Sequence, residues 1–158
     1  MLIQDEPEQA RTMLLSQLER TDLPRWLLPY ILNNLAYADA MLGDPELLAE
    51  AERLIEEAIR LQGVHPTLLG TRACVFAQCG RAEESLRLLD LVDRDHVDPR
   101  TRAVRLGARG IALARLGRHE AALAELVRCR NLDPGGPWGK RLALELLPRG
   151  EGSTPPRC

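Results

Sequence analysis

The run Asn33-Asn34-Leu35-Ala36-Tyr37-Ala38-Asp39-Ala40-Met41-Leu42-Gly43 decides the fold. Its apolar residues recur at helical spacing, and Gly43 follows the last of them, where a chain leaving a helix turns left-handed and glycine carries no penalty. Gly80 and Gly117 repeat Gly43 at steps of 37 and 37 residues, and Ala36, Ala73 and Gly110 repeat one another at the same step, seven positions earlier. Each glycine ends one amphipathic stretch and precedes another, with Pro45 placed to open the second helix of the first unit. Those second stretches share a pattern of their own: Ala51, Ile55 and Ala58, then Ser85, Leu89 and Val92, then Ala122, Leu126 and Cys129. Steps of four and three keep one helical face turned inward. Pro66, Pro99 and Pro134, each after a turn-forming His or Asp, close the units. The chain is therefore predicted to be all-α, with antiparallel helix pairs over about 29–65, 66–102 and 103–134.

Composition agrees. The 158 residues are 45% apolar and 28% charged, enough for one soluble domain with its own core, and only five are aromatic. Twenty-one basic against 23 acidic side chains leave a net charge of −2, which excludes a whole-chain polycation built for nucleic acid or anionic membrane. Lys140 is the only lysine among the bases, a bias toward Arg that matches GC-rich coding rather than a mechanism. Charge is uneven along the chain. Residues 1–66 hold 12 acids and 5 bases, whereas 67–158 hold 11 acids and 16 bases. Drift of solvated faces is one reading of these halves of −7 and +5; stacking of oppositely charged ends, in a homo-oligomer or on a neighbouring domain, is the other.

Reactive groups are scattered. Cys74, Cys79, Cys129 and Cys158 form no C-x-x-C pair, and His65, His96 and His119 fall in predicted loops, so no metal site is expected. Cys74 is the one candidate nucleophile, with no base on its helix. No G-x-x-x-x-G-K or G-x-G-x-x-G loop occurs. Neither an enzyme nor a cofactor protein is expected. Pro24, Arg25, Pro29, Asn33 and Asn34 interrupt the most apolar segment and Met1 to Glu6 reads as no signal peptide, so the expectation is a cytoplasmic chain without membrane insertion and with reduced thiols.

The segment from Ala103 to Pro134 resembles a tetratricopeptide repeat. Gly110 and Ala122 stand at its two small packing positions, Gly117 at its turn, Leu126 at its large apolar knob and Pro134 at its closing proline. The first unit fits with three extra residues in its turn, around Asp44 to Leu47, and the second with three extra around His96 to Asp98. The family's aromatics are mostly replaced: Leu32, Leu69 and Leu106 stand where Trp is commonest, and Asp39 and Leu113 where Tyr is.

The resemblance implies a right-handed α-solenoid over residues 1–147. Residues 6–20 would form a half-unit with Ala10 and Leu14 inward, 137–147 a capping helix over the last apolar edge, and 148–158 a disordered tail. It also implies a concave groove lined by the first helix of each unit: Tyr30, Asn33, Tyr37 and Met41, then Thr67, Gly70, Thr71, Cys74 and Gln78, then Val104, Gly107, Ile111 and Arg115. Asn33, Gln78 and Arg115 would be its polar anchors. The Lys/Arg and Asn clamp with which some relatives hold a C-terminal carboxylate is absent. Arg72 and Arg109 replace a usual Leu, and an Asp39–Arg72 pair between units is expected.

The function implied is a non-catalytic scaffold that takes a peptide or helix of another protein in its groove. Two alternatives stand beside it. One is a regulatory or assembly module of a larger system, since Asn33 to Asp39 and Gly70-Thr71-Arg72 are similar to repeat tails of bacterial membrane-embedded proteases; the other is a self-stacking oligomer. Nucleic acid is not an expected partner.

Overall fold

The structure is a computed structural model and describes residues 6–94 and 96–148. Among these, eight α-helices and one 3-10 turn account for all regular structure. They are α1 (Pro7–Leu18), the 3-10 turn Arg25–Leu27, α2 (Leu28–Leu42), α3 (Pro45–Gln62), α4 (Pro66–Gln78), α5 (Ala82–Val92), α6 (Pro99–Arg115), α7 (His119–Leu132) and α8 (Pro137–Glu145).

Local chemistry sets the boundaries. Gly43, Gly80 and Gly117 have φ of 71°, 76° and 76°, the left-handed values the 37-residue step calls for. After Gly80 and Gly117 the next amide reaches back five residues, Arg81 N–H to the Phe76 carbonyl at 3.0 Å and Arg118 N–H to the Leu113 carbonyl at 2.9 Å, which closes the same motif twice. Starts are fixed by caps and prolines. Asp44 accepts from the amides of Glu46 and Leu47, and Asp98 from that of Thr101 at 3.0 Å, each ahead of a proline at the first helical position. Asp98-Pro99 therefore starts α6 four residues before the expected unit boundary at 103. In the first unit no insertion loop exists: Asp44 to Leu47 become the cap and first turn of α3, and the turn shrinks to Gly43-Asp44.

The helices pack as the pairs α2 with α3, α4 with α5 and α6 with α7, while α2, α4 and α6 also lie side by side. Cys129, near the end of α7, donates its thiol hydrogen to the carbonyl of Ala103, near the start of α6, so that pair runs antiparallel. Ala36, Ala51, Ala73, Ala122 and Ser85 are fully buried, and Ser85 Oγ donates to the Ala73 carbonyl at 2.7 Å. Around them Leu35, Leu48, Ile55 and Leu89 fill the core. Burying each such side chain is worth about 1.5–3 kcal/mol, the main force joining the pairs.

The end of the chain turns inward. α8 lies on α6 and α7, with Trp138 and Leu142 buried. Two glycines of α6 make the room: a Cβ on Gly107 would stand 2.6 Å from Trp138 Cβ, and one on Gly110 would overlap the Leu142 methyls. Gly110, expected as a small packing position inside its own unit, is thus where α8 seats. The capping helix ends at Glu145, and α1 occupies 7–18 within the expected 6–20. Most of the expected tail, 149–158, lies outside the described residues. No helix among the described residues is long and apolar enough to cross a membrane.

Candidate functional site

α2, α4 and α6 supply the expected groove residues, and α8 divides them. Over the C-terminal ends of these helices, α8 covers the groove. Trp138 stacks on Tyr37 with ring centroids 6.3 Å apart and donates its indole N–H to the Tyr37 hydroxyl at 2.8 Å. Arg141 donates to the Met41 carbonyl, and Arg115 Nε to Glu145 Oε1 at 3.0 Å. Met41, Gln78 and Ile111 are buried here.

The polar anchors in this half are spent inside the protein. Gln78 Nε2 donates to the Ala40 carbonyl at 3.3 Å, and Arg115 Nη1 to the carbonyls of Ala77 and Gln78 at 2.7 and 2.5 Å. A pattern emerges with Arg105, whose Nη1 donates to the Val92 carbonyl at 2.8 Å. Each arginine covers the C-terminal carbonyls of another helix, Arg141 for α2, Arg115 for α4 and Arg105 for α5. A cation suits that end of a helix, where carbonyls lack amide partners and the dipole is negative.

Toward the N-terminal ends the groove stays open as a cavity of about 440 Å³. It brings together Asn33, Tyr37, Thr71 and Cys74 of the expected set, with Thr67, Gly70 and Val104, and adds Asn34, Thr101, Arg105 and the loop His96–Asp98. Tyr30 stands exposed outside it. Cys74 is on the inner wall, its thiol pushed up to about 12 by burial and so protonated at neutral pH. There it presents a small, weakly polar surface to the cavity. Cys74 and Cys129 are free thiols, but Cys79 is disulfide-bonded, against the expectation of thiols reduced throughout. No group of His, Cys, Asp and Glu among the described residues is arranged to hold a metal ion.

Two polar groups at this cavity are buried without full partners. Asn33, 8% exposed, donates to Asn34 Oδ1 at 3.3 Å, but its own Oδ1 accepts nothing. Arg105, 7% exposed, has an unpartnered Nε. The acid of the rim, Asp98, is turned to the start of α6; hydrogen bonds from the Thr101 hydroxyl and amide hold its pKa below the usual range.

The expected Asp39–Arg72 pair is not formed. Asp39 Oδ1 takes Arg11 Nε of α1 at 2.6 Å, and Arg72 pairs with Glu56 of α3 at 3.2 Å while lying over the Phe76 ring. Arg109 does the same one unit on, meeting Asp90 of α5 at 2.8 Å and also Asp93, the residue that caps its end. Arginines at this position reach the second helix of the preceding unit, not its first. Sequence reading missed Trp138, Arg141 and Glu145 as groove occupants. The available signal was the pair Gly107 and Gly110 on one face of α6, matched by Trp138 and Leu142 one turn apart on the last helix.

Comparison with family models, with curated proteins and with solved structures finds no match. What the geometry shows among the described residues is an all-α chain of packed helix pairs, with a cavity lined from α2, α4 and α6 beside the chain's own last helix.

Proposed function

We propose that the chain is a right-handed, tetratricopeptide-like α-solenoid that works as a non-catalytic scaffold, receiving a segment of another protein in the open half of its groove. The observation that carries this reading is the 440 Å³ cavity between the N-terminal parts of α2, α4 and α6, lined by small and polar side chains and continuous with the surface. Support for the repeat comes from the shared left-handed turns 37 residues apart and from the equivalent arginine pins Arg72–Glu56 and Arg109–Asp93. The buried, protonated Cys74 favours binding over chemistry. A peptide lying along such a groove buries side chains in pockets while its backbone meets fixed polar groups.

The test is selection from a random peptide display library on the full chain, repeated with an Asn34→Trp/Thr67→Trp variant whose helicity is unchanged. The expected result is an enriched sequence motif whose peptide binds the variant at least about tenfold more weakly, a loss of 1.4 kcal/mol. No enrichment, or equal binding to both proteins, would overturn the reading.

A further inference from the structure

The guanidinium of Arg105 is planar, with donors on three nitrogens, and only one of the three is used. Nη1 donates to the carbonyl of Val92 at 2.8 Å. Nε and Nη2 form the opposite edge: Nε is buried without a partner, and Nη2 makes no hydrogen bond to the described residues. That edge lies against Gly70: a Cβ there would stand 3.6 Å from Nε and 3.9 Å from Nη2. Gly70 and Arg105 both line the open cavity, and residue 70 has no side chain to cover the edge. No carboxylate of the described residues pairs with Arg105, although the side chain is 7% exposed. A buried cation left with two of its three donor nitrogens idle is costly unless something completes it. Among side-chain chemistries, the parallel Nε–H and Nη2–H bonds match the two oxygens of a carboxylate.

We propose that the Nε/Nη2 edge of Arg105, reached over Gly70, binds an acidic side chain of the segment held in the groove. The inference rests on the groove reading above and specifies what that segment must carry. Asn33 favours a peptide over a free organic acid, because its buried Oδ1 offers an acceptor with no donor, as a backbone N–H of the segment requires. Thr71 and Cys74 line the same cavity.

The experiment follows the ¹⁵N–¹H resonance of Arg105 Nε in the full chain, assigned through its loss in Arg105→Lys. The probes are acetyl-Ala-Glu-Ala-amide, its glutamine counterpart and sodium succinate, at constant ionic strength. The glutamyl peptide should shift the resonance saturably, with a dissociation constant on the order of 1 mM for so short a ligand, and the glutaminyl peptide at least about tenfold more weakly. Gly70→Leu, which leaves Arg105 in place and puts a side chain over its edge, should abolish the shift. Should Arg105→Lys not fold, Gly70→Leu carries the test, because a Cβ at residue 70 meets only ordinary contacts. A resonance that ignores all three probes, or unchanged peptide binding in Gly70→Leu, overturns the proposal. Motif-bearing peptides selected from the library that leave the resonance unmoved would overturn it while the groove reading stands. A response to succinate alone would overturn the assignment to a peptide side chain and count against the groove reading as well.

Discussion

Asp39 shows how burial and pairing compete at one residue. It is fully buried in α2, takes a single guanidinium hydrogen bond on Oδ1, and leaves Oδ2 unpaired. Burial pushes its pKa up from 3.8 to about 6, against the attraction of Arg11. A folded pKa above the unfolded one means the folded state binds the proton more tightly. The stability this brings is complete below about pH 4 and is lost as pH rises through 6. Asp39→Asn removes the titration, so its stability relative to the wild type should rise by about 2–3 kcal/mol between about pH 4 and pH 7. Urea unfolding of both proteins across that range checks it; a difference independent of pH would contradict it. The sequence showed that Asp39 faces a neighbouring helix but not which one. Its partner sits on α1, which has no counterpart in the 37-residue step, so the repeat register carried no information about Arg11. Arg105 was illegible for a related reason: spacing places a residue on a face but does not show that a buried donor lacks an acceptor.

At the scale of the element, helices and their turns were legible because glycine, proline and cap residues act locally. The docking of α8 was not, since it depends on shape matched between residues far apart in sequence. Gly110→Ala tests that match. The added methyl would overlap Leu142, and overpacking of this kind costs about 1–3 kcal/mol. Trp138 is 2% exposed and Trp26 69% exposed, so the blue-shifted part of the tryptophan emission belongs to Trp138. That emission should move to longer wavelength in Gly110→Ala as α8 loosens, and should not move in Gly117→Ala, where a left-handed turn is strained with nothing within 4 Å of the new methyl. The arginines that close helix ends differ in the same way from those that join helix surfaces. Arg115→Ala takes one donor from the buried carbonyls of Ala77 and Gln78 and removes its ion pair with the largely buried Glu145, a loss of about 3 kcal/mol. Arg72→Ala gives up a pair whose glutamate is half exposed, a loss under about 1 kcal/mol. Denaturant midpoints of the two variants, with equal slopes, separate these cases.

For the whole molecule, the opposed charge of its two halves finds an internal use. Arg72 and Arg81, from the basic half, pair with Glu56 and Glu52 of α3, from the acidic half. These ion pairs join neighbouring helix pairs within one chain and leave less of the imbalance for a second copy. Sedimentation equilibrium is expected to give the mass of one chain at low ionic strength as well as at about 0.15 M, where screening sets in within about 8 Å. A heavier species that disappears on adding salt would favour end-to-end stacking. The inward turn of α8 has a further consequence, for size. α8 reaches α2 through its side chains, by Trp138 on Tyr37 and Arg141 on the Met41 carbonyl. A nine-residue helix is about 13 Å long, and packed helices stand about 8–10 Å apart. One more helix pair between α2 and α6 would carry Tyr37 beyond the reach of Trp138. The last helix is therefore a gauge: it closes on the first pair when three pairs are present, and a lengthened array would forfeit that closure.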